Sequence, residues 1–363
     1  MKKIHKMCIM MIFSADKNHN VKETKEVHYE FLNALYFNSR ISIRQLAKKF
    51  KISQHTLSKN LKTFSSLYEF FYTLDLDTNA LGFSEARILT IKFDKIPDIK
   101  LLKKRFNADF VVQNAYFGIG DFDLILHIIC KNQTDYIKWL FRFRVEFNNY
   151  KPKVKVCTLN DFAEGFLPIN NKLLSYSDKI NLDEKKILAK LLENSRMKIG
   201  RMAKDVYMTQ MKIVYILKKL QKNSIIKKFT YNIQNPDKRI FLFYTVVAMP
   251  NENHRSKLLV NFLENILYGE DQNQTTTDYS VVCDTSGHFD SIFFCNFKDG
   301  ETLNKRGPPL LEKTWKEENP IIEKSILTEL IKGKWPFNAN SYSEWLKILE
   351  HEKSNPTKFT VYK

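Results

Sequence analysis

The sequence contains two similar segments at an interval of 156 residues. Residues 31–64, FLNALYFNSRISIRQLAKKFKISQHTLSKNLKTF, align without a gap with residues 187–220, ILAKLLENSRMKIGRMAKDVYMTQMKIVYILKKL, and 11 positions are identical. Because a repeat of this length corresponds to one supersecondary unit, it predicts two similar units in one chain. With 363 residues, the chain is long enough for two to four domains.

Each copy of the repeat has the pattern of three short helices. Leucines recur at the spacing of one helix face in the first segment of both copies. The second helix follows the shared tripeptide NSR, where Ser42 and Gln45 form the S-x-x-Q pattern of a capping box. The third helix begins after Ser53 in the first copy and after Thr209 in the second, and both residues are favourable N-caps. Between the second and third helices there are only enough residues for a tight turn. This spacing predicts a helix-turn-helix.

A β-rich stretch follows each helical triplet, FFYTLDL in the first copy and IIKKFTYNI in the second. Either stretch is typical of a wing hairpin or of an exit strand, so each unit is interpreted as a winged helix-turn-helix. Residues 87–159 then show the element order βαββαβ of a ferredoxin-like domain. The second half repeats this order more loosely, with a polar insertion, YGEDQNQTT, and Gly307-Pro308-Pro309 inside its expected second helix.

The predicted fold class is therefore α+β, with two winged helix-turn-helix domains, each followed by a ferredoxin-like βαββαβ domain. The predicted divisions are an N-terminal tail (1–26), a first winged helix-turn-helix (27–82), a first ferredoxin-like domain (83–159), an irregular linker (160–181), a second winged helix-turn-helix (182–235), a divergent second ferredoxin-like domain (236–333) and a C-terminal extension (334–363).

The positive charge of the chain collects on the two helical units. The formal net charge is +18, and residues 40–68 contain seven basic residues and no acidic one. A basic recognition helix is typical of proteins that bind double-stranded DNA in the major groove. The predicted DNA-binding residues are Arg40, Arg44, Ser53, Gln54, His55, Thr56, Ser58, Lys59, Lys62, Arg196, Thr209, Gln210, Lys212, Tyr215, Lys218 and Lys219.

The third helix of the second copy is less polar than that of the first. Its predicted outward positions include Met211, Val214, Tyr215 and Ile216 beside the lysines. A surface for a protein partner therefore stays open as an alternative to DNA contact for this unit.

The order of elements and several local matches resemble the Lrp/AsnC family of bacterial and archaeal transcription regulators. The matches include Leu182-Asp183 before the second unit, the pairs Leu46-Ala47 and Met202-Ala203, Ile225-Ile226, and the stretch Asn79-Ala80-Leu81-Gly82. The resemblance implies a DNA-binding regulator that pairs through its ferredoxin-like sheets, here as two tandem copies acting as a covalent pseudo-dimer on an asymmetric DNA site.

In many members of this family an amino acid or similar effector binds near the loop between the second and third strands. The resemblance places such a site at Gly118, Gly120, Asp121 and Asp123, although glycines and aspartates at these positions also suit a plain hairpin turn. His288 departs from the family pattern in the matching loop of the second half. A homo-dimer or higher assembly through the sheets is the other partner that the resemblance implies.

The sequence predicts that the chain is not an enzyme, because no phosphate loop, G-x-S-x-G elbow or paired nucleophile motif appears in it, and it predicts no cofactor or metal. The five cysteines form no CxxC pair, and no histidine sits at ligand spacing from another histidine or cysteine. Siroheme decarboxylases resemble the same family and act on a tetrapyrrole, so a related enzyme is kept as an alternative, beside a regulator that binds proteins only. No apolar run reaches the length of a membrane span. The expected location of the protein is the cytoplasm, where it would be associated with the nucleoid.

Overall fold

The structure is a computed structural model that describes residues 31–32, 34–68, 70–164, 166–233, 240–247, 279–297 and 321–335. Its helices are α1 (helical residues 31–32 and 34–37), α2 (Ile43–Lys49), α3 (Gln54–Tyr68), α4 (Ile99–Ala108), α5 (Gln133–Glu146), α6 (Asn171–Tyr176), α7 (Leu182–Glu193), α8 (Ile199–Val206) and α9 (Gln210–Lys222). Its strands are β1 (Phe70–Leu76), β2 (Glu85–Phe93), β3 (Val112–Gly120), β4 (Leu124–Cys130), β5 (Pro152–Glu164), β6 (Ile226–Ile233), β7 (Ile240–Val247), β8 (Tyr279–Gly287), β9 (Ser291–Phe297) and β10 (Ile321–Lys332).

Two three-helix units, called here the first head (α1–α3) and the second head (α7–α9), carry the predicted helix-turn-helix motifs. The capping box of Ser42 and Gln45 is present at the start of α2, and Thr209 caps α9. Both motifs turn through a residue in the left-handed region, Lys51 with φ 52° and Tyr207 with φ 56°. These two residues are 156 positions apart, so the two motifs share even this uncommon backbone conformation.

The stretch after each head is a single strand, and the two strands pair with each other. Strand β1 runs antiparallel to β6, with Thr73 opposite Thr230. Of the two interpretations left open by the sequence, the exit strand is therefore the one observed, and neither β1 nor β6 belongs to a wing hairpin. The two heads are joined by this two-stranded sheet.

The apolar core of each head includes side chains from the other half of the chain. Leu74 and Leu76 of β1 pack among the apolar residues of α7–α9, although β1 follows the first head in sequence. Conversely, Tyr231 of β6 packs against α1–α3, although β6 follows the second head in sequence. Because these strands are exchanged, the heads hold a fixed position relative to each other.

The other eight strands form one closed antiparallel sheet in the order β10-β3-β4-β2-β5-β8-β9-β7. Strands β2–β5 come from the first ferredoxin-like unit and β7–β10 from the second, and the two units meet where β5 pairs with β8 and β10 pairs with β3. Since every one of these eight strands has a neighbour on both sides, the described sheet offers no free edge to a second copy of the chain.

The closed sheet has an apolar face on both sides. Helices α4 and α5 cover the outside of the first unit, where Trp139, Phe106 and Phe143 are fully buried. The inside of the closed sheet is filled mainly by apolar side chains from both units, among them Tyr116 and Phe294. The sheet is therefore a packed core that unites the two halves.

Parts of the chain differ from the predicted boundaries or lie outside the described residues. The predicted linker 160–181 contains the end of β5 and the helix α6, and Leu173 and Leu174 of α6 are buried. The predicted N-terminal tail, the insertion YGEDQNQTT, the Gly-Pro-Pro segment and the extension beyond residue 335 all lie outside the described residues.

Candidate nucleic-acid interface

Helix α3 of the first head exposes a polar face at its N-terminal half. Gln54, His55 and Lys59 are exposed, and Lys62 continues the same surface one turn further on. Ser53 caps the helix, because its hydroxyl accepts a hydrogen bond of 3.0 Å from the backbone N–H of Thr56. Amide, imidazole and ammonium groups in this arrangement can contact base edges and phosphates together.

The remaining predicted residues of the first head divide into exposed and structural positions. Arg44 is exposed on α2, next to the exposed cations Lys48 and Lys51. Thr56 and Ser58 are half-buried, and the hydroxyl of Thr56 shares a hydrogen bond of 2.8 Å with that of Ser53. Ser53 therefore caps the helix, and the hydroxyl of Thr56 is engaged with this cap.

The second head carries its basic residues differently. The Nζ atom of Lys212 lies 2.5 Å from Asp183, and the Nζ atom of Lys219 lies 2.7 Å from Glu184. The hydrogen bond and charge of Glu184 raise the pKa of Lys219 above its ordinary value. Two of the predicted phosphate-binding lysines thus already have carboxylate partners on α7, whereas Lys218 is exposed with no salt bridge among the described residues.

The exposed face of α9 also presents large apolar side chains. Met211 is 85% exposed and Tyr215 is 69% exposed, and Tyr207 in the preceding turn is 95% exposed. Ile216, which the sequence placed on the outside, is buried in the core of the second head, at 5% exposure. The outward prediction for Ile216 is wrong, because this residue lies one position beyond the exposed face and packs with the core of its own head.

Arg40 and Arg196 lie at the junction of the heads and not on an outward recognition face. The Nη1 atom of Arg40 donates to the carbonyl of Ser195 at 2.8 Å, and its guanidinium lies 5.3 Å from the ring centre of Phe229. Arg196 lies 5.1 Å from the ring centre of Tyr72 in the same manner. Partial burial and, secondly, the charge of Arg196 lower the pKa of Arg40 from its ordinary value.

Two serines of the repeated tripeptide meet at the centre of this junction. The hydroxyl oxygens of Ser39 and Ser195 are 2.6 Å apart, and both residues are fully buried. The backbone N–H of Ser39 donates to Phe229, and that of Ser195 donates to Tyr72. The repeated NSR sequence therefore builds the contact between the two heads, with equivalent residues facing each other.

A cavity of about 430 Å³ opens beside the junction. Phe37 and Arg40 of the first head line one side, and Lys218 of α9 lines the other together with Lys227 and Lys228 of β6. The junction is therefore basic, and its charge continues the positive surface from one head toward the other.

The four residues predicted to bind an effector are engaged within the protein. A Cβ atom at Gly120 would lie 2.4 Å from the carbonyl oxygen of Lys324, so the loop packs against β10 too closely for a side chain. Gly118 likewise approaches β10, and Asp121 accepts a hydrogen bond of 2.7 Å from the backbone N–H of Lys324. Asp123 is buried and lies 2.6 Å from the Nζ atom of Lys92. The contacts of Gly118, Gly120 and Asp121 join the two ferredoxin-like units, whereas the contact of Asp123 lies within the first unit.

A buried polar cluster joins β3 and β4 to the end of the described chain. The amide nitrogen of Asn114 lies 3.1 Å from Nδ1 of His127 and donates to the carbonyl of Pro168. The amide oxygen of Asn114 accepts from the backbone N–H of Lys334 at 3.1 Å. Burial lowers the pKa of His127 to about 3, so this imidazole is neutral at neutral pH.

The described residues hold no group of three or more His, Cys, Asp or Glu side chains placed to bind a metal ion. The described cysteines, Cys130, Cys157, Cys283 and Cys295, are all buried thiols, and burial raises the pKa of Cys130 and Cys157 to about 12. Among the described residues, no helix is both long enough and apolar enough to cross a membrane.

Two comparisons with known proteins give matches. Residues 13–82 match the family model described as the Mga helix-turn-helix domain, a span that includes the described part of the first head. The solved structure of the siroheme decarboxylase NirDL is similar over 92% of this chain and 100% of that chain, with a TM-score of 0.57 and 12% identity. Its complex with an iron-uroporphyrin III analogue gives a TM-score of 0.54 and 13% identity over the same coverage.

B. subtilis LrpC is similar over 40% of this chain and 96% of that chain, with a TM-score of 0.30 and 19% identity. No curated protein sequence matches the chain. The likeness to NirDL along nearly the whole chain shows a shared fold, and it confirms the predicted fold class. A helix-turn-helix domain is present.

The prediction that the chain is not an enzyme requires correction. Two solved structures that are similar along 92% of this chain are those of a decarboxylase, so a fold of this kind occurs in an enzyme. The prediction rested on the absence of a familiar catalytic motif, which does not describe what a shared scaffold can carry.

The sequence did not single out Tyr207 or the junction residues Lys227 and Lys228. The alignment of Tyr207 with Lys51 in the first copy is the signal that could have placed Tyr207 on the exposed surface. In the sequence, the two lysines contribute only to the charge of the second unit. Their position beside the first head depends on the pairing of β1 with β6, which the local pattern does not contain.

Proposed function

We propose that this protein is a double-stranded DNA-binding transcription regulator of Lrp/AsnC type. In this proposal the chain arose by internal duplication, and its two heads act as a covalent pseudo-dimer. One observation carries the proposal, namely the exposed Gln54, His55 and Lys59 on a capped recognition helix in an acid-free basic segment. The match of residues 13–82 to a helix-turn-helix family supports it.

The proposed mode of binding places α3 of the first head in the major groove. Gln54 can form two hydrogen bonds with adenine, and Lys59 can donate to guanine or to a phosphate. Arg44, Lys48 and Lys51 lie on neighbouring parts of the head and would contact the phosphate backbone. The basic junction between the heads continues this charge toward the second head.

The fixed pairing of the heads favours one composite site over two independent ones. A symmetric dimer places identical helices on two half-sites, whereas α3 and α9 present different side chains at aligned positions. The proposed DNA site is therefore asymmetric, with two half-sites of different sequence on one face of the duplex.

A binding assay with variants of the first head tests the proposal. Duplexes enriched from a random library by the wild-type protein provide the probe. The double substitution Gln54→Ala and Lys59→Ala should weaken binding by about 30-fold or more, since each lost base contact costs about 1–3 kcal/mol. The matched control is Lys104→Ala with Gln133→Ala, which removes the same kinds of exposed side chain from α4 and α5 and should leave affinity unchanged.

Salt dependence provides the second readout. Affinity should fall steeply between about 50 and 200 mM salt, because each lysine or arginine that neutralises a phosphate releases counterions. A plot of the logarithm of the binding constant against the logarithm of the salt concentration should have a slope of about −0.9 for each phosphate contact. Failure to enrich any duplex at low salt would overturn the proposed function.

A second candidate function is catalysis on a tetrapyrrole, which the full-length likeness to the siroheme decarboxylase structures favours. Titration of the purified protein with iron-uroporphyrin III, followed through the absorbance band of the tetrapyrrole, tests this candidate. A saturable spectral shift at one equivalent would support it. An unchanged spectrum together with salt-sensitive duplex binding would favour the regulator.

A further inference from the structure

The two recognition helices present opposite chemistry at equivalent outward positions. Along the interval of 156 residues, His55 of α3 aligns with Met211 of α9, and Lys59 aligns with Tyr215. Gln54 and Gln210 are the same residue at the first position of each helix, and both are exposed. Hydrogen-bonding groups in the first head are thus replaced by apolar and aromatic groups in the second.

Three apolar or aromatic side chains of the second head, Tyr207, Met211 and Tyr215, are strongly exposed and are called here the stripe. Met211 and Tyr215 are four residues apart on α9 and therefore lie on the same helix face. Their exposures are 85% and 69%, and Tyr207, at 95%, extends the stripe into the turn before the helix. Large apolar side chains left this exposed on consecutive turns are typical of a binding surface.

The charge around this stripe indicates a polyanion as its occupant. Exposed basic side chains lie on both sides of the stripe in sequence, on α8 and on α9, namely Arg201, Lys204, Lys212, Lys218, Lys219 and Lys222. Lys212 and Lys219 have carboxylate partners on α7, and no salt bridge is recorded for the other four within the described residues. Double-stranded DNA offers phosphates to such cations and an apolar group within the groove, the C5 methyl of thymine.

We infer that the second head reads thymine methyl groups through Met211 and Tyr215, while the first head reads hydrogen-bonding groups. The inference rests on the proposed function and adds the base chemistry of the second half-site. Met211 can shape itself to a methyl group, because its unbranched side chain is flexible and polarizable. The Tyr215 ring adds flat apolar area, and its hydroxyl can reach a phosphate or a base edge.

The test uses the full-length protein and a duplex enriched by it from a random library. That duplex is made again with deoxyuridine in place of thymidine, in one half-site at a time. Deoxyuridine lacks only the C5 methyl and keeps every hydrogen-bonding group of thymine. When deoxyuridine replaces thymidine in the half-site protected by the second head, affinity should fall roughly fourfold for each contacted methyl group that is lost. This is the change in affinity that corresponds to the burial of one apolar carbon. The same change in the other half-site should alter affinity by less than twofold.

Variants of the second head connect this effect to the two side chains. The double substitution Met211→His and Tyr215→Lys gives α9 the residues of α3 and should remove the difference between thymidine and deoxyuridine probes. The matched control Met208→Leu alters a partly buried apolar residue of the same motif and should keep that difference. Far-ultraviolet circular dichroism and the melting temperature confirm that each variant is folded.

Two outcomes separate the inference from the proposed function. A protein that enriches a duplex but binds thymidine and deoxyuridine probes equally overturns the inference alone. A protein that enriches no duplex overturns both.

Discussion

Lys155 and Glu323 show, at the scale of single residues, how the two halves differ where they meet. Gly120 and Gly287 precede the matching loops of the two ferredoxin-like units. Gly287 pairs with Cys157, and Gly120 pairs with Ser325. Lys155 lies two positions before Cys157, and Glu323 lies two positions before Ser325. The two side chains are therefore structurally equivalent, and they form an ion pair with each other. In a homo-dimer an equivalent position would bring two like charges together, so this pair is available only to a chain whose halves differ.

The charges of this pair can be exchanged as a test. Lys155→Glu places two carboxylates together in a half-buried site and should lower the free energy of unfolding by about 2–4 kcal/mol. Adding Glu323→Lys reverses the pair and should restore most of this loss. The measurement is urea-induced unfolding of the wild type, both single variants and the double variant. As a control, the exchange of Lys190 and Glu193, a more exposed pair at 3.2 Å, should change stability by less than about 1 kcal/mol.

His127 makes the stability of the protein depend on pH in a predictable direction. Its pKa of about 3 in the folded protein lies below the ordinary value of 6.5, because burial disfavours the charged imidazole. Above pH 6.5 both states are neutral, and this residue contributes no pH dependence. As the pH falls below 6.5, the unfolded state takes up a proton that the folded state does not, so stability is lost at up to about 1.4 kcal/mol per pH unit.

The substitution His127→Gln isolates this effect. The variant keeps a hydrogen-bonding side chain beside Asn114 but cannot titrate, so the stability difference between wild type and variant should narrow as the pH falls from 7 to 5. Free energies of unfolding measured by denaturant at each half unit of pH provide the comparison. A constant difference over this range would contradict the assignment, since groups common to both proteins cancel in it.

At the scale of elements, the contacts of glycine distinguish two kinds of position. Gly120 has φ +145° at the point where β3 pairs with β10, and a Cβ atom there would lie 2.4 Å from a backbone carbonyl. Gly200 lies in helix α8, where the nearest atom to a Cβ would be the side-chain nitrogen of Gln210, at an ordinary 3.5 Å. The first position requires glycine for both conformation and space, and the second requires it for neither.

Alanine at these two sites should therefore have opposite effects. Gly120→Ala should destabilise the protein by about 2 kcal/mol or more, because the backbone of β10 must move away from β3. Gly200→Ala should stabilise it by up to about 1 kcal/mol, since alanine is the better helix former. Thermal unfolding of both variants beside the wild type measures the two shifts, and a stabilising Gly120→Ala would contradict the described junction.

Local patterns predicted the elements but not how they pair. Short stretches of sequence predict the capping box at Ser42, the cap at Thr209 and the order of the strands, and the structure contains all three. The pairing of β1 with β6 is a long-range contact, and nothing within FFYTLDL specifies its partner. The hydrogen bond from Arg40 to Ser195 is also a long-range contact, and a basic residue beside a helix-turn-helix does not indicate it.

At the scale of the whole molecule, the halves are joined by three strand pairings in addition to the covalent chain. These are β1 with β6, β5 with β8, and β3 with β10. Together with the exchanged core residues of the heads, these pairings connect the two halves along most of the described chain. The connecting segment at residues 178–179 is exposed and follows the helix α6.

Cleavage of the connector should leave the protein assembled. A specific protease site inserted between Asp178 and Lys179 allows the chain to be cut after folding. The two fragments should elute together in gel filtration at the volume of the intact protein and separate only in denaturant. Fragments that separate in native buffer would contradict the shared cores, and an uncut sample carrying the same insertion controls for the insertion itself.

The contact of Ser39 with Ser195 has a consequence for how such a regulator can be oriented. It fixes two unlike heads side by side, and a molecule with unlike ends can occupy a stretch of duplex in one orientation only. The bound protein would then have a front and a back relative to the neighbouring promoter. Inverting its site would turn its other flank toward the transcription machinery, so the same protein on the same site could give a different response depending on which way the site points.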